Sequence, residues 1–97
     1  MIVERTAEAT RQLTDILYYI AIVDHSPLNA GDVLSRIETI EEYISENPGI
    51  GRENKAMGTF EFTMPKDRIC IIYEIYRDQI YILSYFQESR NPSNKYE

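Results

Sequence analysis

From Arg68 to Phe86 the chain reads RICIIYEIYRDQIYILSYF, and almost every position is β-branched or aromatic apart from one short polar break. Ile69, Ile71, Tyr73 and Ile75 fall on one face at period two, and Cys70, Ile72 and Tyr76 fall on the other. An arm apolar on both faces belongs in the middle of a sheet. The break at Arg77, Asp78 and Gln79 has room only for a tight turn, so Ile80 to Phe86 should return antiparallel as the second arm of a hairpin. Upstream, Phe60, Phe62 and Met64 alternate with Thr59, Glu61 and Thr63, a half-buried strand that Pro65, Lys66 and Asp67 turn into the hairpin.

The N-terminal half changes period. Ile2 to Arg5 is a short strand candidate, and Thr6 is placed to cap a helix with Glu8 in its first turn. Ala9, Leu13, Ile16, Leu17 and Ile20 form one apolar stripe, which predicts a helix to about Val23 with Arg11, Gln12 and Asp15 off the stripe. Asp24 to Pro27 break it, and Ser26-Pro27 reads as a cap followed by a first-turn proline. A second helix carries Ala30, Val33, Leu34, Ile37, Ile40 and Ile44 inward, with Arg36, Glu38, Glu41 and Glu42 outward, and stops at Asn47-Pro48-Gly49. Two helices joined so closely pack as an antiparallel hairpin.

Pro48 to Gly58, with three glycines and no periodicity, reads as a loop. QESRNPSNKYE, residues 87–97, has too few apolar side chains to pack and reads as a polar tail. The pattern predicts a single α+β domain over residues 1–97: a short strand and a helical hairpin packed on a mainly antiparallel, roughly four-stranded sheet.

Charge divides the same way. Residues 1–47 carry nine acids against three arginines, so the whole net charge of −6 lies there, and from residue 48 seven cations balance seven acids. An acidic chain is a poor general nucleic-acid binder. No apolar run is long enough for a membrane span and the N-terminus lacks a signal pattern, which predicts a soluble cytoplasmic protein. The single cysteine, Cys70, is expected to be reduced and buried.

Little of the polar inventory points to chemistry. His25 stands alone in a turn with no second ligand for a metal, and Glu38, Glu41 and Glu42 have the composition of a solvated helix face. Gly49, Gly51 and Gly58 do not open a helix after a strand, as a phosphate-cradling loop requires. No cofactor or metal is implied. Tyr73, Tyr76, Tyr81 and Tyr85 are first of all packing residues of the hairpin. Lys55, Lys66, Arg68 and Arg90, gathered at one end of the sheet, would form the cation cluster that an RNA-cleaving site needs for a phosphodiester transition state.

Several short segments, in order, resemble the ParE/RelE superfamily of bacterial toxin-antitoxin systems, and within it the ParE-like, plasmid-stabilisation branch. Thr6-Ala7-Glu8-Ala9 is similar to the family's helix opening, and LTDILYYIAI to its D-L-x-x-I-x-x-Y-I signature. Ser26-Pro27 through Ala30 is similar to its interhelical turn, Pro48-Gly49-Ile50-Gly51-Arg52 to its P-x-x-G-R element, and IIYEIYRDQIYIL to its Y-x-V-x-x-D-x-I-x-I-L hairpin. The resemblance covers residues 2 to about 91. It implies a toxin neutralised by a cognate antitoxin, alone or as part of a homodimer or a toxin-antitoxin hetero-oligomer.

ParE-like members inhibit DNA gyrase without catalysis, and RelE-like members cut messenger RNA on the ribosome. In the RNA-cleaving branch the last strand often holds arginine where this chain has Ser84, and histidine where it has Gln87. The resemblance therefore implies a ParE-like gyrase inhibitor, with Phe86, Gln87, Arg90 and Lys95 toward the target and Tyr18, Tyr19 and Tyr43 toward the antitoxin. A ribonuclease, using Arg68, Arg90 and Tyr85 as base, and a diverged member that has lost toxicity are the alternatives.

Overall fold

The computed structural model describes residues 1–87 and is an α+β fold in which two helices lie on one face of a five-stranded sheet. The elements run β1 (Ile2–Arg5), α1 (Ala7–Tyr18), α2 (Pro27–Glu46), β2 (Arg52–Asn54), β3 (Thr59–Met64), β4 (Ile69–Tyr76) and β5 (Gln79–Gln87). Strand order is β1-β5-β4-β3-β2, antiparallel except for the parallel β1–β5 pair. The strand beyond the expected four is β2, which lies in the stretch read as a loop. Its three polar residues pair with Thr59, Phe60 and Glu61. The predicted 87–97 tail falls outside the described residues except for Gln87, which closes β5 opposite Ile69.

Thr6 joins strand to helix. Its hydroxyl accepts the Ala9 N–H at 3.1 Å as the N-cap of α1 and donates to the Ile82 carbonyl, which also receives the Thr6 N–H. After Tyr18 the helix continues to Val23 as one π-helical turn, closed by the Asp24 N–H on the Tyr19 carbonyl. Ser26 stands at the N-cap of α2, but its hydroxyl donates to the Asp24 carbonyl and leaves the helix uncapped by a side chain. His25 beside it takes a positive φ.

The core is the meeting of the two stripes with the sheet: Leu13, Ile16, Ile20, Val33, Ile37 and Ile44 against Ile69, Ile71, Tyr73, Ile80, Ile82 and Tyr85. Burying side chains of this size contributes about 1.5–3 kcal/mol each before entropy is charged against it. Polar ties fix α2 at two further points. Arg36 binds Asp67 of the β3–β4 turn bidentately at 2.7 and 2.8 Å, and the Ser45 carbonyl accepts the Met1 ammonium. The β4–β5 turn has positive φ at both Arg77 and Asp78, the handedness that matches the twist of a two-residue hairpin. Among the described residues no helix is long and apolar enough to cross a membrane.

Candidate functional site

One irregularity decides which way the last strand points. Along β5, Ile80 and Ile82 face the helices, and strict alternation would send Ser84 after them. The β4–β5 register instead slips between Ile72, opposite Ser84, and Tyr73, opposite Ile82, so Leu83 is an extra residue. A bulge of this kind shifts the phase of every later side chain by one. Tyr85 therefore turns inward and is 3 % exposed, while Ser84 is only half-buried. The β1–β5 ladder has ended at Ile82, and Gln12 of α1 accepts the Tyr85 N–H at 3.0 Å.

The Tyr85 hydroxyl meets two charges beneath α2. Glu41, read from the sequence as part of a solvated face, is 8 % exposed, because it falls four residues after Ile37 and three before Ile44 on the buried stripe. Arg5 donates from Nη2 to Glu41 Oε1 at 2.8 Å and from Nε to the Tyr85 hydroxyl at 2.8 Å, and that hydroxyl donates to Glu41 Oε2. The three side chains come from β1, α2 and β5. Among the described residues no buried side-chain nitrogen or oxygen lacks a partner, the condition for carrying an ion pair into a core.

Burial raises the Tyr85 phenol well above its ordinary value, the bond to Glu41 adds to the shift, and Arg5 opposes it in part. A phenol held so firmly protonated is no general base at neutral pH. Burial also raises the Tyr73 phenol, opposed by its bond from Gly51. The unfolded chain then holds fewer protons than the folded one once pH passes about 10, so stability present below that value is lost as pH rises through the folded values. Urea unfolding between about pH 8 and about pH 11 should show this decline, and Tyr85→Phe should make it shallower.

Among the described residues the other candidates do not gather around Tyr85. Arg68 lies in the β3–β4 turn with a positive φ, donating its N–H to the Met64 carbonyl, three residues before Ile71, the strand partner of Tyr85. Lys66 shares that turn, but Lys55 lies in the β2–β3 turn at the opposite end of β3, about 20 Å away by strand geometry. The expected cluster of Lys55, Lys66 and Arg68 at one end is corrected accordingly. Arg90 and Lys95 lie outside the described residues. Phe86 is exposed on β5, and Gln87 is half-buried at its end.

Tyr18 is exposed and Tyr19 half-buried at the helical tip, where Ile22, Val23 and Leu28 extend the exposed apolar surface, whereas Tyr43, also exposed, stands near the other end of α2, about 22 Å along the helix from Leu28. A groove of about 330 Å³ runs between α2 and β3, with Ile40, Phe62 and Met64 as its apolar wall and the Arg36–Asp67 pair also lining it. A second concavity, of about 580 Å³, opens between β1 and α2. Sequence reasoning missed Arg5 and Glu41, although the spacing of Ile37, Glu41 and Ile44 carried the signal. Among the described residues no cluster of His, Cys, Asp and Glu is arranged to hold a metal ion.

A family model described as the ParE toxin of type II toxin-antitoxin system, parDE, matches residues 3–92. No curated protein matches. Among solved structures, one from the chromosomal ParDE TA system of P. aeruginosa is similar over 90% of this chain and 95% of that chain, with a TM-score of 0.67 and 20% sequence identity. At that identity the likeness speaks for the fold.

Proposed function

The chain belongs to the ParE toxin family of type II toxin-antitoxin systems, and from that membership we propose that it acts in the cytoplasm as a non-enzymatic inhibitor of DNA gyrase, neutralised by a cognate antitoxin. The observation that carries the non-enzymatic reading is the condition of Tyr85. The described residue best suited to serve as a ribonuclease base is buried, protonated and tied to Arg5 and Glu41. Ser84 supplies no cation beside it.

On this reading the end of the last strand, exposed Phe86 and half-buried Gln87, together with Arg90 and Lys95, engages the target. The antitoxin covers the apolar surface around Tyr18, Tyr19 and Tyr43 and the groove at Ile40, Phe62 and Met64, and adds a strand to an open sheet edge. Inducing the chain in bacterial cells should arrest growth with filamentation, and the purified chain should inhibit gyrase supercoiling. Co-expressing an antitoxin-type reading frame encoded immediately beside this one should relieve the arrest. Intact supercoiling activity, with messenger RNA cut at the ribosome, would favour the ribonuclease instead.

A further inference from the structure

We infer that the antitoxin segment lying along the open edge of β1 is basic, and that Glu38 of this chain holds one of its lysine or arginine side chains. The inference rests on the toxin-antitoxin reading above and specifies the partner's chemistry. β1 is an edge strand, and the Thr6 N–H donates to Ile82 across the parallel ladder. Since a strand residue turns its N–H and C=O to the same side and the sides alternate, Ile2, Glu4 and Thr6 face β5, while Val3 and Arg5 offer theirs to the open edge. An extended segment pairs there by main-chain bonds that carry no sequence preference.

Selectivity must then come from side chains beside that edge. The concavity of about 580 Å³ between β1 and α2 is lined by Val3, Glu4, Arg5, Glu38 and Glu41. Arg5 and Glu41 neutralise one another. Glu4 turns its side chain to the helix-free face, where it accepts the Gln79 amide at 2.8 Å, whereas Glu38 stands on the α2 side and makes no ion pair among the described residues. Glu42 and Glu46 continue the exposed acidic row one and two turns along α2. Covering this edge with a neutral or acidic segment would strip water from unpaired carboxylates, and a cation on the incoming strand avoids that cost.

The test uses the full chain and the purified product of the neighbouring reading frame. Glu38→Lys should weaken binding about tenfold, mainly through the association rate, and Glu38→Gln should weaken it less. Wild-type affinity should fall with added salt more steeply than that of Glu38→Lys. Replacing the facing cation of the partner with glutamate should restore binding to Glu38→Lys. Val3→Pro removes one outward N–H and spares the ladder to β5, and because Val3 also packs against the core it is compared with Val3→Ala, which keeps that N–H and should bind more tightly than the proline variant. Unchanged affinity in Glu38→Lys, with no rescue by the exchanged charge, overturns the inference and leaves the toxin reading standing. A wild-type chain that binds no product of the neighbouring frame overturns the antitoxin reading itself.

Discussion

Glu41→Ala is expected to lower the unfolding free energy by about 3 kcal/mol, because it leaves the Arg5 guanidinium partly buried without its counter-ion and the Tyr85 hydroxyl without its acceptor. For a domain of this size that is a fall in melting temperature of about 15 °C. Tyr85→Phe removes one neutral group and leaves the ion pair, so it should cost only about 1 kcal/mol. The informative variant is the triple Arg5→Met, Glu41→Leu, Tyr85→Phe, which replaces the whole trio with apolar side chains of similar volume. Its stability should lie within about 1 kcal/mol of wild type or above it, since a satisfied buried ion pair offsets little more than its own desolvation. Thermal melts of the four proteins decide this. A Glu41→Ala chain that melts with wild type would mean that water replaces the lost carboxylate.

The second large effect is expected at Gly51. A Cβ built there would lie 2.8 Å from the Tyr73 hydroxyl, 3.1 Å from its ring and 3.0 Å from the Glu61 carbonyl. Tyr73 has nowhere to retreat: it is fully buried, stacked on Phe60 with centroids 5.4 Å apart, and its hydroxyl donates to the Pro48 carbonyl at 2.7 Å while accepting the Gly51 N–H at 3.0 Å. Gly51→Ala should therefore destabilise by about 2 kcal/mol through overpacking. The backbone of Gly51 is extended, so conformational freedom is not what this glycine supplies. Tyr73→Phe should cost about 1–2 kcal/mol by orphaning the Pro48 and Gly51 backbone groups. The double variant should cost less than the sum, because the hydroxyl that the added methyl group would strike has gone. Urea unfolding of the three variants measures the coupling.

That contact also shows how the chain's short motifs work. The Pro48-to-Arg52 element and the tyrosine of the hairpin are separated in sequence and read as independent marks, yet in the fold one is the wrapping around the other. The long elements were legible because their periods persist. The stripes of α1 and α2, the alternation of β3 and the unbroken apolar run of β4 each repeat over several turns or pleats. The edge strand β2 was not legible, because Arg52, Glu53 and Asn54 are all polar and lack the alternation that marks a strand. Glu41 was hidden by its charge, which outweighed its place on the stripe, and Tyr85 by a one-residue bulge that leaves no trace in composition. The π turn after Tyr18 likewise lies inside an ordinary helical pattern. Each miss is local, and the trio of Arg5, Glu41 and Tyr85 was lost because it needed two of them at once.

The parallel pairing of β1 with β5 has a bearing on how the chain comes into being. Arg5 and Tyr85 are 80 residues apart, and at about 5–20 residues per second the ribosome needs roughly 4–16 s to make the second after the first. During that interval the segments of both helices are made while the layer that buries their apolar stripes, Ile69 through Tyr85, is not. Assembly closes the longest loop in the molecule last, the kind of contact that slows folding most. The nascent chain therefore carries the apolar stripes of its N-terminal half uncovered for seconds, open to any chaperone or partner already waiting.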